Sequence, residues 1–275
     1  MAKKGKNSSG EMSFLDHLEE LRWLLVRSTI AILVGACVAF AFSGFIFDEI
    51  IFAPKEASFV TYRFFCDLAT TYDLDKSFCL QEIPFKIQSR TLDGQFSTDI
   101  WTAVTVGFIL AFPFILWEFW KFISPALYAK ERRYAVSFLV MASLLFFLGV
   151  LFGYFIIMPL SINFLGHYRI SAVVENNIDL DSYLSLIKTT VISCGLVFEL
   201  PILIYFLAKI GIVSSSFLRT YRRYAYVIIL IIAAVVTPPD VVSQLIVTIP
   251  LIILYEVSIF IAASVQKNKD AGLNT

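Results

Sequence analysis

The residues best placed to do chemistry are carboxylates at the edge of the first apolar segment. In Ser13–Ser28, read SFLDHLEELRWLLVRS, the acids Asp16, Glu19 and Glu20 lie just outside a long apolar run. The cytoplasmic flank of a membrane span ordinarily collects Lys and Arg instead. Ser13 followed three residues later by Asp16 reads as a helix start, which gives Asp16 a capping role. Glu19 has Arg22 at i+3, a solvated pairing worth a few tenths of a kcal/mol. Glu20 has no base at i+3 or i+4, and its nearest same-face base is Arg27, two turns away. An acid without a local partner invites a basic group from elsewhere. Glu131 stands among Lys130, Arg132 and Arg133. It is either one member of a solvated mixed-charge turn or a second carboxylate held on the same face as Glu20. Two such acids, each accepting a bidentate guanidinium, select adjacent arginines over lysines.

Other polar groups stand inside apolar runs. Glu199, in VFELPIL, lies roughly 13 Å from the inner end of its span, where a carboxylate is expensive and by default marks function. Pro201 frees nearby carbonyls that attract water. Three readings stay open for Glu199: a neutral acid bonding two helices, a wall of a water-filled concavity, or a proton relay. Asp240, Gln244 and Thr248 recur at i, i+4 and i+8 and form a polar stripe, suited either to packing within the bundle or to docking a partner helix. Cys37 and Cys194 sit in apolar runs as packing residues, whereas Cys66 and Cys79 share a polar stretch with no zinc spacing. His17 and His167 fall on opposite sides of the membrane. There is no phosphate loop, zinc-protease motif or nucleophile motif, so the chain is expected to be no enzyme, with no cofactor and no metal.

The elements that must position these groups are membrane helices. The 275 residues are 58% hydrophobic and only 16% charged, with mean hydropathy +0.78, against about 25% charge in a soluble domain. Net charge is zero, which gives nucleic-acid binding no support. The expected architecture is an all-α polytopic membrane protein of six transmembrane helices, at about 23–42, 99–122, 135–158, 183–208, 224–236 and 241–263, the last two short. Residues 1–11 and 265–275 read as disordered tails around a single membrane domain, 12–264. The first apolar run is read as a retained helix rather than a signal peptide. Pro113 is expected to kink the second helix, Pro159 to stop the third and Pro250 to interrupt the sixth. The stretch 43–98 is the longest loop; Asp93-Gly94 suggests a hairpin, and Glu49–Ala57 suits the membrane surface. Fifteen of the 22 bases fall on the side that holds both termini: Lys3, Lys4, Lys6, Arg22, Arg27, Lys121, Lys130, Arg132, Arg133, Lys209, Arg219, Arg222, Arg223, Lys267 and Lys269. That side is therefore cytoplasmic. The 43–98 loop then lies in an oxidising space, where Cys66 and Cys79 can form a disulfide.

Several motifs, in order, resemble the TatC family of twin-arginine protein translocase subunits: HLEELR at 17–22, Ala53-Pro54, FISPALYAKERR at 122–133, FGYFIIMPL at 152–160, VFELP at 197–201 and TPPDVVSQ at 237–244. The resemblance spans about 13–263. It implies a receptor in the bacterial cytoplasmic (inner) membrane that binds the twin-arginine signal peptide of folded cargo. With TatA- and TatB-type single-span proteins it would export that cargo on proton-motive force, as a homo-oligomer within the receptor complex. Position by position, it assigns Glu20 and Glu131 to the arginine pair, Arg22 and Phe122 to the same site, Glu199 to a concave face, and Asp240 and Gln244, with Thr248 on their stripe, to partner-helix docking. Leu24 stands where the family commonly has a second Arg, and Ala129 where a base often follows Ala-Leu-Tyr. The rival readings are a proton-coupled solute transporter with Glu199 as its proton site, against which no internal repeat is visible, and a structural membrane scaffold.

Overall fold

The computed structural model describes residues 14–73, 79, 83, 85–123, 135–171, 173, 176–237 and 241–273. The chain starts with α1 (Phe14–Ala41), then α2 (Ser43–Phe45), a π-helical turn (Ile46–Ile51), a 3-10 turn (Ala53–Lys55) and α3 (Val60–Thr71). Strand β1 (Lys86–Gln88) precedes α4 (Gly94–Ile123) and α5 (Ala135–Phe152), which continues through a π turn (Gly153–Ile157) into α6 (Met158–His167). Strand β2 (Asn177–Asp179) leads to α7 (Leu180–Phe198), α8 (Leu200–Ile210), α9 (Ser215–Thr220), α10 (Arg222–Val236) and α11 (Val241–Leu273). Five stretches are long and apolar enough to cross a bilayer: His17–Ala41, Gly94–Ile123, Phe138–His167, Leu180–Ile210 and Ser243–Lys267. The remaining long helix, α10, has 15 residues, about 22 Å, against a hydrocarbon core of about 30 Å.

Glycines set the helix spacing. A Cβ on Gly107 of α4 would lie 2.5 Å from the Ala36 nitrogen and 2.6 Å from the Ile32 oxygen of α1. The two backbones touch directly, as small residues permit in lipid. Gly149 and Gly153 do the same for the α5–α7 pair, where a Cβ on Gly149 would lie 2.6 Å from the Cys194 carbonyl oxygen. Cys194 is buried there as a packing residue. One core, around Phe198, Leu251 and Ile259, joins α7 to the later helices. A second, around Tyr62, Met158, Tyr183 and Leu184, sits under the 43–98 loop.

The prolines behave differently from expectation. Pro159 does not end its helix: it occupies the first turn of α6, where no N–H is required, after a π turn that loosens the ladder. The helix therefore runs on to His167. Pro250 lies inside α11, which runs unbroken for 33 residues, so the last helix is not short. The break comes in the fourth span instead. Glu199 is the hinge between α7 and α8, with its N–H on the Leu196 carbonyl (3.1 Å) and Pro201 in the next first turn. Asp93-Gly94 is not a hairpin. The Asp93 carbonyl accepts from the Ser97 N–H (2.9 Å) at the start of α4. The strand β1 pairs in parallel with β2, Lys86 opposite Asn177, so two separate loops are stitched together. Cys66 and Cys79 are disulfide-bonded, with Cα atoms 4.8 Å apart.

Three tyrosines donate to backbone carbonyls of the 43–98 loop, and one of them also to a carbonyl of α6. Tyr183 Oη donates to Ile51 (2.9 Å) and Tyr154 Oη to Ile50 (2.7 Å). Tyr62 Oη lies 3.1 Å from the Pro54 oxygen and 2.8 Å from the Pro159 oxygen, so one proton serves both. Burial pushes the Tyr62 phenol well above its usual range.

The α1–α4 contact tests the role of glycine. Gly107→Leu is expected to force the pair apart at a cost of about 1–3 kcal/mol, read as a lower unfolding midpoint of the purified protein. Gly44→Ala adds a Cβ with nothing within 4 Å and should leave the midpoint unchanged.

Candidate functional site: a charged cleft between α1 and α4

Helical spacing brings the acid flank of α1 against the end of α4. Glu20, Trp23, Leu24 and Arg27 share one face of α1 at i, i+3, i+4 and i+7, and Glu118, Lys121 and Phe122 share one face of α4. Together with Glu19 they line an open cavity of about 390 Å³. Its floor is an ion-pair triad. The Glu118 side chain is only 4% exposed; its two oxygens meet Arg27 Nη1 at 3.1 Å and Lys121 Nζ at 2.7 Å. Both cations remain about half exposed. Lys121 also lies 5.5 Å over the Trp117 ring, and Arg27 6.0 Å from that of Trp23. His17 stacks on Phe122 at 4.3 Å with an interplanar angle of 19°.

The acids of the wall differ in kind. Glu118 is neutralised twice over. Glu19 and Glu20 are exposed and, among the described residues, neither has an ion-pair partner, so the local Glu19–Arg22 pairing does not form. Arg22 does not line the cavity; two residues from Glu20, it sits about 200° around the helix. Glu131 lies outside the described residues. Sequence reasoning passed over Glu118. The signal was there: an acid near the end of an apolar helix with Lys at i+3, and a lone Arg27 inside the facing helix.

The family profile described as "Sec-independent protein translocase protein (TatC)" matches residues 16–250. The chain is 44% identical to the TatC protein of Blattabacterium sp. subsp. Periplaneta americana, covering 96% of this chain and 100% of that one. It is 36% identical to the Aquifex aeolicus TatC protein, covering 94% and 98%. A crystal structure described as the "Twin Arginine Translocase Receptor- TatC" superposes with a TM-score of 0.68 at 35% identity, over 91% of this chain and 99% of that one. A second, "in DDM", gives 0.69 over 90% and 99%. The chain belongs to the TatC family. It is a multi-pass membrane protein and a component of a Tat protein translocase, not an enzyme.

Within this TatC-family chain the other singled-out residues lie apart from the cleft lining. Glu199 sits at the α7–α8 break. Both its carboxylate oxygens are shielded from solvent, and among the described residues neither has a hydrogen-bond partner. An unpaired charge held there would cost several kcal/mol. Gln244 Nε2 donates to the Leu230 carbonyl of α10 (3.3 Å), and the buried Thr248 hydroxyl donates to the Gln244 carbonyl (2.7 Å). Both polar groups are thus engaged within the α10–α11 hairpin. Asp240 lies outside the described residues. The hairpin is clamped at its other end by Glu256, which accepts from Arg222 Nη2 (2.8 Å) and the Tyr226 hydroxyl (2.6 Å).

Removing Glu118 leaves two cations facing each other. Glu118→Ala is expected to destabilise the protein by about 2 kcal/mol, less than the roughly 3–5 kcal/mol of a fully buried pair because both partners keep solvent contact. Adding Arg27→Gln should recover part of that loss. A double-mutant cycle on unfolding midpoints checks it; additive effects would mean the triad is not coupled.

Proposed function

We propose that this chain is the receptor that reads the twin-arginine signal peptide of folded cargo, with Glu20 as the first acceptor carboxylate. The observation that carries the reading is the contrast within one cleft: Glu118 is saturated by Arg27 and Lys121, while Glu20 is exposed and has no ion-pair partner among the described residues. A carboxylate held on a rigid helix at a membrane edge favours a planar guanidinium with two parallel donors over a hydrated ammonium. Trp23 and Phe122 line the same cavity, and Trp23 with the Phe122 face not covered by His17 offers aromatic surface on which a guanidinium stacks. Glu131 is the second acceptor in this reading. It precedes two arginines in the sequence between α4 and α5, nine residues after Phe122. Arg22, turned away from Glu20, belongs to the rim rather than to the arginine pocket.

The wider assignment follows from the family. The related solved structures are described as a twin-arginine translocase receptor. The chain works in the bacterial inner membrane with both termini in the cytoplasm. It exports cargo on proton-motive force, in a complex holding other copies of itself. TatA- and TatB-type single-span helices dock along the α10–α11 hairpin near Asp240, Gln244 and Thr248, where α10 is too short to cross the bilayer alone. Glu199, its carboxylate oxygens shielded at a helix break, is the intramembrane polar group of that pathway.

Photocrosslinking to a twin-arginine peptide tests the central claim. Glu20→Ala should cut the yield by about tenfold or more, the worth of one charge-assisted contact of roughly 1.5–3 kcal/mol. Adding Glu131→Ala should abolish it. A twin-lysine peptide should bind the unaltered chain poorly. Unchanged crosslinking of the double variant would remove both residues from the site, and continued export of a folded twin-arginine reporter after deletion of the protein would remove the function.

A further inference from the structure

The helix α3, in the loop that carries the disulfide, has an apolar flank that none of the described residues covers. Val60, Phe64 and Leu68 repeat at i+4, with Tyr72 just past the helix end, and are 67%, 61%, 40% and 69% exposed. Taking Val60 as the origin, the surface of α3 divides into three sectors at about 100° per residue. Exposed apolar residues occupy about 0–80°, together with Thr71 of the last turn, whose hydroxyl is satisfied by the Asp67 carbonyl (2.7 Å). The buried Thr61, Ala69 and Tyr62 occupy about 100–200°. The exposed polar Thr70, Arg63 and Asp67 occupy about 280–340°. A surface helix in water has two sectors, buried and polar. A helix surrounded by lipid has no polar sector. Three adjoining sectors fit a helix that meets protein, hydrocarbon and water along three flanks.

Its depth agrees. Thr61 Oγ1 donates to the Phe155 carbonyl, and Tyr62 Oη bonds Pro159. Phe59, just before the helix, stacks on Phe155 with centroids 5.8 Å apart. Phe155 lies 17 residues along its helix from Phe138, about 26 Å, close to the far edge of a roughly 30 Å hydrocarbon core. The apolar surface is also continuous. Val60 shares the wall of one large open cavity with Ile50, Leu151 and Phe155, and these three are themselves 40%, 50% and 39% exposed. Leu151 and Phe155 belong to a helix apolar enough to cross the bilayer. The polar flank carries one Arg and one Asp, so an anionic headgroup is not required.

We infer that α3 is an interfacial anchor: it lies along the membrane surface on the loop side, with Val60, Phe64, Leu68 and Tyr72 sunk to the level where acyl chains begin. The occupant of this flank is lipid, not a protein partner. The anchor holds the loop at a fixed height, and the Cys66–Cys79 bridge ties the segment after α3 back to the same helix.

Spin labels on the full-length chain in phosphatidylcholine vesicles test this. A ketone-bearing amino acid at 64 or 68, or at 63 or 70 as controls, is coupled to a hydroxylamine nitroxide, which leaves all four cysteines in place. At 64 and 68, relaxation by oxygen should exceed that by a water-soluble nickel chelate severalfold. At 63 and 70 the ratio should reverse. If 64 and 68 meet nickel as readily as the controls, the flank faces water and the proposal fails. If both quenchers are excluded there, protein covers it and the proposal fails equally.

Discussion

The backbone contact between α1 and α4 is the constraint on which the cleft side of the molecule depends. Gly107 lets α4 approach until its Cα meets the Ile32 and Ala36 backbone. Only at that distance can Arg27, deep in α1, reach Glu118, three turns along α4 from Gly107. The triad then fixes the rotation of both helices about their axes, because Glu118 must point inward to be shielded and Arg27 must point toward it. Glu20 lies two turns from Arg27 on the same face. Its position over the cleft therefore follows from a glycine about 20 Å away along the helices.

Much of this was legible in one sequence. Composition and apolar runs located five of the spans, because hydrophobic thickness is a hard length requirement, but their ends differ by up to nine residues, as at His167. The odd acids at the first span's edge stood out since they violate a charge rule. What could not be read was anything that depends on two distant segments meeting. Glu118 and Arg27 are each visible in sequence as a charge in or near an apolar helix, but their pairing shows only when α1 and α4 meet. The β1–β2 pairing joins residues about ninety positions apart through three-residue strands, too short for a periodicity signal. Pro159 misled for a local reason: it occupies a first helical turn, where a missing N–H costs nothing, and a sequence does not say where a turn begins.

The opposite side solves a different problem. Its loop must cross apolar side chains without stranding backbone carbonyls. Tyrosine is suited to this, with an apolar ring for the core and one hydroxyl at its tip. Tyr62, Tyr154 and Tyr183 come from three separate elements and converge on carbonyls at Ile50, Ile51, Pro54 and Pro159. The loop is thereby keyed to the bundle through side chains rather than a sheet. The cleft side uses charge for the same end, as the Glu118 triad and the Arg222–Glu256 pair show. Helix ends at that boundary can keep half-exposed cations in water.

Charge counting connects the architecture to what the cleft can receive. The lining holds three acids, Glu19, Glu20 and Glu118, and two bases, Arg27 and Lys121, a net charge of −1. The bases are spent on the most buried acid, so the attraction left for a ligand comes from the exposed edge alone. A single arginine would neutralise that balance. A pair of adjacent arginines would overshoot it and leave the second cation beside Lys121 and Arg27, unless another carboxylate joins from outside this lining. Recognition of a doublet rather than a single base therefore requires an acid that α1 and α4 do not contribute to the cavity. Glu131, eight residues past the end of α4 in sequence, is an acid of that kind. In the proposed receptor the first arginine would meet the fixed edge of α1 and the second would meet Glu131, so that either base alone would satisfy only half of the site.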